Sequence, residues 1–75
     1  MKEKIKKIIE DIQPYETIDE TTDLLAESVM DSVSILLLAQ ELEAEFDVTI
    51  ELEEINEQNF KNIETIAKLI ESKVS

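Results

Sequence analysis

The sequence predicts an all-α fold, a small four-helix bundle of three longer helices and one short one, with a long loop between helices one and two. Three observations carry this. Glycine is absent, proline occurs once (Pro14) and phenylalanine twice, a composition poor in the turns and aromatics of β-folds. Apolar residues make up 43% of the 75 residues, enough for a core and too many for disorder. Apolar side chains also recur at i, i+3, i+4 and i+7 near both ends of the chain, the spacing of one helical face.

The elements follow in order. Ile5, Ile8, Ile9 and Ile12 form one stripe, predicting a first helix from Lys2 to Gln13. Pro14 ends it, because proline disfavours helical geometry in the residue before it. From Pro14 to about Asp31 no period survives, and Thr17, Asp19, Thr21, Thr22 and Asp23 favour turns by bonding their own backbone. A loop this long needs anchors, and Leu24 and Leu25 are the expected ones.

A second helix is predicted from Asp31-Ser32 to about Phe46, with Asp31 as N-cap. Ile35, Leu38, Ala39, Leu42 and Phe46 share its core face at 100° per residue. Val33, Leu37 and Ala44 fall opposite, Leu36 lies on the shoulder, and Gln40 stands between. Glu41, Glu43 and Asp47 border the same outward face. An apolar patch rimmed by acids is the pattern of a protein-docking surface. Asp47 to Ile50 reads as an extended connector. Glu51 to about Glu57 is expected to make the short third helix, with Leu52 and Ile55 inward. Asn62 then caps a last helix whose face is Ile63, Ile66, Ala67 and Ile70, continued by Val74.

One domain, residues 1–75, is the expected organisation. A chain this short buries a modest share of its surface, so its core must carry the stability. With neither cysteine nor histidine there is no disulfide, no thiolate zinc site, no Ser-His-acid triad and no imidazole base. The absence of glycine excludes an EF-hand calcium loop. Paired carboxylates need a cleft that 75 residues scarcely provide, so the chain is expected not to be an enzyme.

Seven lysines against 19 acidic residues give a net charge of −12. That charge repels phosphate backbones and anionic lipid, so neither nucleic-acid binding nor membrane insertion is expected. The amino end is too densely charged for a signal peptide, and the protein is expected to be cytoplasmic and monomeric. Lysine is confined to residues 2–7 and to Lys61, Lys68 and Lys73, while 16 of the 19 acids lie between Ile8 and Phe60. Basic protein surfaces are the expected partners.

The pair Asp31-Ser32 opens the second helix, where unpaired amides and about half a positive charge stabilise a phosphate. In this context the chain resembles the acyl and peptidyl carrier protein family. The resemblance spans helix, long loop, Asp31-Ser32-Val33, an acidic second helix ending Leu42-Glu43-Ala44-Glu45-Phe46, a short third helix and a capped fourth. Asn59-Phe60-Lys61-Asn62-Ile63-Glu64-Thr65-Ile66 is also similar to the approach to the last helix in stand-alone carriers.

The resemblance implies that Ser32, beside Asp31, is the attachment site of 4′-phosphopantetheine. A phosphopantetheinyl transferase would install it from coenzyme A with Mg²⁺, and its thiol would carry acyl or aminoacyl groups as thioesters. Asp31, Val33, Leu36, Leu37, Gln40 and Glu41 match the family's partner-recognition surface, which meets basic patches on acyl- or aminoacyl-transfer enzymes. Two departures point away from a housekeeping fatty-acid carrier. Val29-Met30 stands where a glycine often precedes Asp-Ser, and Ser34 replaces a common acid. The motif looks closer to D-alanyl, stand-alone aminoacyl or polyketide carriers. Leu38, Leu42, Ile50 and Ile55 either line an acyl pocket or are core, and core is the default. The alternative function is a cofactor-free acidic adaptor for a basic partner.

Overall fold

The computed structural model describes residues 1–74. These residues form three α-helices, α1 (Lys2–Ile12), α2 (Ser32–Phe46) and α3 (Ile63–Val74), with one 3-10 turn at Leu52–Glu54. Helix α1 packs against both α2 and α3. It runs antiparallel to α2: the Gln13 amide donates to the Ser34 hydroxyl at 3.3 Å, and Lys4 lies 4.0 Å from Glu45 at the far end. Among the described residues no helix is long and apolar enough to cross a membrane.

The core is one cluster. Ile5 and Ile9 come from α1, Ile35, Leu38, Ala39 and Leu42 from α2, and Ile63, Ile66, Ala67, Leu69 and Ile70 from α3. Phe46 is half-buried against it. Val74, expected to continue the last stripe, is half exposed, because the helix runs past the end of the core there. Phe60 is fully buried although it stands among polar neighbours with no periodicity.

Residues 13–31 hold only turns, and their polar side chains bond the local backbone. The Asp19 carboxylate accepts from the Thr21 backbone N–H and from both threonine hydroxyls, at 2.9–3.1 Å. These bonds, led by the Thr21 amide, hold its pKa below the ordinary value. Asp23 accepts from the amides of Leu25 and Ala26, while its own N–H donates to Glu27. The segment is also tied to the rest of the fold: Leu24 N–H donates to the Lys61 carbonyl at 2.8 Å, and Met30 N–H to the Leu24 carbonyl at 3.0 Å. Leu24 is fully buried and Leu25 half-buried. The structure adds three anchors, the buried Ile18, Val29 and Met30.

The short helix expected over residues 51–57 is instead the single 3-10 turn. Its start is well capped, since Glu51 and Glu54 form a reciprocal capping box. Propagation fails because asparagines take its carbonyls: Asn56 Nδ2 donates to Glu53 O and Asn59 Nδ2 to Glu54 O, both at 2.9 Å. Such side-chain bonds offer the backbone an alternative to helix. Leu52, expected inward, is 77% exposed, whereas Ile55 is half-buried against the core. Lys73 donates to Glu54 at 2.7 Å, and that bond with the Glu51 amide depresses the Glu54 pKa.

Asn62 caps α3 reciprocally with Thr65. Thr65 N–H donates to Asn62 Oδ1 at 2.9 Å, and Asn62 N–H to Thr65 Oγ1 at 3.1 Å. Asn62→Ala is therefore expected to lower stability by about 1 kcal/mol in urea unfolding. Lys68→Ala, on the exposed face of α3, should cost less than about 0.5 kcal/mol. Equal losses in the two variants would show that the cap contributes nothing of its own.

Candidate functional site

The site is built from the residues that precede α2. Val29 and Met30 are 4% and 3% exposed, so the chain enters α2 from two side chains fixed in the core. Ser28, just before them, adopts a left-handed backbone with φ 59°, which turns the chain inward. Asp31 follows in extended geometry (φ −102°, ψ −174°), and α2 begins at Ser32. Two buried side chains and one cap thus fix where the helix starts.

The Asp31 carboxylate accepts from the Ser34 N–H at 2.9 Å. Its pKa lies below the ordinary value, first because of that amide, next because of the Ser34 hydroxyl. The same hydroxyl accepts from Gln13 Nε2 at 3.3 Å, which joins the end of α1 to the cap of α2. Ser34 is therefore half-buried and engaged on both sides. In the sequence Ser34 stands out only as the place of a missing acid. The signal available was its place three residues after an N-cap aspartate, where the backbone amide meets the cap.

Ser32 differs from its neighbours. It is the first residue of α2, its side chain is exposed, and its backbone is held from both sides by buried or capped residues. Ser34 lies two residues on, turned to the α1 seam. Ser28 is exposed but sits in the loop, in the left-handed region. A long group bonded to a hydroxyl needs an accessible oxygen and a rigid base. Ser32 meets both, so a pendant phosphodiester fits there.

The outward face of α2 carries Val33, 73% exposed, with Leu36 and Leu37 each nearly half exposed. Gln40, Glu41, Ala44 and Asp47 are exposed beside them. Glu43 departs from the expected rim: it is half-buried, and its carboxylate accepts from the Ile50 N–H at 2.8 Å, pinning the connector to α2. Asp47 ends the helix in left-handed geometry, φ 53°, the place a glycine usually takes. Leu38, Leu42 and Ile50 are buried core residues and Ile55 is half-buried against the core. Packing accounts for all four.

Asp31 titrates as a cap. A folded-state pKa below the ordinary one stabilises the protein above the ordinary aspartate range, and that contribution disappears as pH falls through the lowered value. Asp31→Asn keeps an acceptor at the cap without a titrating charge. The melting-temperature gap between the natural chain and this variant should be present at pH 7 and shrink below about pH 4. The other carboxylates are common to both proteins and drop out of the gap. A gap constant across that range would mean that the charge on Asp31 is not part of the cap.

Comparison with known proteins bears on this geometry. A family model described as "Phosphopantetheine attachment site" matches residues 3–70, nearly the whole chain. Among curated proteins, none matches. The family carries a covalently attached 4′-phosphopantetheine prosthetic group, and its carrier domains are in general non-catalytic. A chain matched from the first turn of α1 to the last turns of α3 belongs to the phosphopantetheine attachment-site family, that of the acyl and peptidyl carrier proteins.

Proposed function

We propose that the chain is a single-domain, monomeric cytoplasmic carrier whose phosphopantetheine arm is attached at Ser32. The observation that carries this is the exposed hydroxyl at the first residue of α2, on a helix start fixed by buried Val29 and Met30 and by the Asp31 cap. The family's prosthetic group supplies a thiol, which the cysteine-free chain lacks, and that thiol holds acyl or aminoacyl groups as thioesters. In attachment the Ser32 hydroxyl gives up its proton and bonds the phosphorus nearest the pantetheine. The adenosine bisphosphate half of coenzyme A then leaves. A phosphopantetheinyl transferase with Mg²⁺ performs the transfer.

The chain's own residues do the rest. Asp31 holds the helix start, so the tether has a fixed origin. Val33, Leu36, Leu37, Gln40 and Glu41 form the docking face for the transferase and for acyl- or aminoacyl-transfer enzymes bearing basic patches. A net charge of −12 steers such partners in while leaving each contact brief, which suits a shuttle serving several enzymes. Val29-Met30 before Asp31-Ser32, and Ser34 after it, favour a D-alanyl-type or stand-alone carrier over a housekeeping fatty-acid one. The family match favours this reading over a cofactor-free acidic adaptor, since the family carries a covalently attached prosthetic group.

Incubation with a phosphopantetheinyl transferase and coenzyme A should add the mass of one phosphopantetheine. Ser32→Ala should gain nothing, and peptide mapping should find Ser28 and Ser34 unmodified. No gain by the natural chain, or an equal gain by Ser32→Ala, removes the assignment. Charge reversal on the docking face is a separate matter. Glu41→Lys should slow modification several-fold at low salt and much less at high salt, where the Debye length shrinks to about 3 Å at 1 M. An unchanged rate at low salt would reduce Glu41 to a solvating charge.

A further inference from the structure

A side-chain hydrogen bond joins the end of α1 to the start of α2. Gln13 Nε2 donates to the Ser34 hydroxyl at 3.3 Å, between residues 21 positions apart, and both side chains are half-buried. A hydroxyl has one proton to give and two lone pairs to receive. The Ser34 oxygen receives from Gln13, and its proton goes to the Asp31 carboxylate, which the Ser34 backbone N–H also meets at 2.9 Å. Gln13, Ser34 and Asp31 thus form one directed chain, each bond polarising the next. It ends on the residue immediately before Ser32.

We infer that Gln13 and Ser34 are positioning residues for attachment of the arm, holding the first turn of α2 at a fixed angle to α1 while Ser32 reacts. The inference rests on the assignment of Ser32 as the attachment site. Ser34 stands about 200° round α2 from Ser32, so its hydroxyl faces α1 and not a molecule seated on Ser32. What it contributes must pass through the backbone and through Asp31. Val29 and Met30 fix where α2 begins, and Ile35 packs the first turn on the core. Apolar packing is non-directional, however, and leaves small rotations of that turn open. The contact of Asp31 with the Ser34 amide lies within the turn and travels with it. The Gln13 bond is directional and reaches another helix, so it is the contact that opposes rotation. Direction is what attachment demands. The Ser32 oxygen must meet the phosphorus in line with the departing part of coenzyme A, and a misplacement of about 1 Å can cost on the order of a hundredfold in rate.

The test measures attachment in a single turnover, with coenzyme A and a saturating excess of phosphopantetheinyl transferase, so that docking and product release drop out. Followed by intact mass, Gln13→Ala and Ser34→Ala should each slow the step about fivefold, while the half-saturating transferase concentration changes less than about twofold. The loss should be the same at low and high salt, because neither change alters the net charge. The double variant should be no slower than either single one, since the same chain of bonds is broken in each. Ser34→Thr, which keeps a hydroxyl, should recover most of the rate. Lys73→Met controls for lost stability: it removes the half-buried bond to Glu54 in the last turn of α3 and should leave the single-turnover rate unchanged. Gln13→Ala leaves the Asp31–Ser34 amide cap in place and carries the test if Ser34→Ala does not fold. Rates at saturation within about twofold of the natural chain, additive losses, or an equal loss in Lys73→Met would overturn the inference with Ser32 still the attachment site. A natural chain that takes no arm at Ser32 is a different result, which removes the assignment and this inference with it.

Discussion

The start of α2 is the constraint on which the rest depends. A helix needs its first amides satisfied, and Asp31 does this for Ser34. A cap alone fixes register but not position, because a capped helix can still pivot about its first turn. Position comes from Val29 and Met30, buried immediately upstream, and from the backbone bonds that tie Leu24 to Lys61 and Met30 to Leu24. These bonds link the loop to the segment leading into α3, so the beginning of α2 is referenced to two parts of the fold. Ser28 accepts left-handed geometry, disfavoured for a residue with a Cβ, and the chain then delivers Val29 into the core. Strain in the loop is offset by burial next to the site.

Charge is sorted by the same architecture. The ion pairs at Lys2, Lys4 and Lys73 reach Glu20, Glu45 and Glu54 on the loop, the far end of α2 and the 3-10 turn. Surface pairs of this kind contribute little stability, but they place lysines where they neutralise acids away from the Ser32 end. Glu43 is spent internally on the Ile50 amide. Among the exposed acids left are Asp31 beside Ser32 and, at the seam of α1 and α2, Glu41 and Asp11. The acidic composition thus does unequal work: some carboxylates cap and pin, others are left to face partners.

Much of this was legible in the sequence where periodicity or capping spoke directly. The stripes of α1 and α3, the core face of α2, Asp31 as cap and Asn62 as cap follow from spacing and side-chain chemistry, and the structure has them. The 3-10 turn was not legible, because Leu52 and Ile55 sit at helical spacing and only the three-dimensional reach of Asn56 and Asn59 shows the carbonyls diverted. Val29, Met30, Ile18 and Phe60 lie in segments without a period, so burial there depends on where the loop folds back. Ser34 looked like an absent acid. Its bond to Gln13 joins residues 21 positions apart, a contact no local pattern encodes.

Ser34 also has a physical role at the start of α2. Its backbone amide first, and then its hydroxyl, lower the Asp31 pKa, and the hydroxyl joins α1 by accepting from the Gln13 amide. The seam between α1 and α2 is thereby closed at its Ser32 end by a neutral polar clasp and stays open further down, where Leu37 faces Ile8 and Ile12 across the groove. On the side of α2 that faces α1, the polar clasp is thus followed by an apolar groove rimmed by acids. The Ser34 hydroxyl therefore ties the start of α2 to the end of α1, while the exposed carboxylate of Glu41 stands two turns further on.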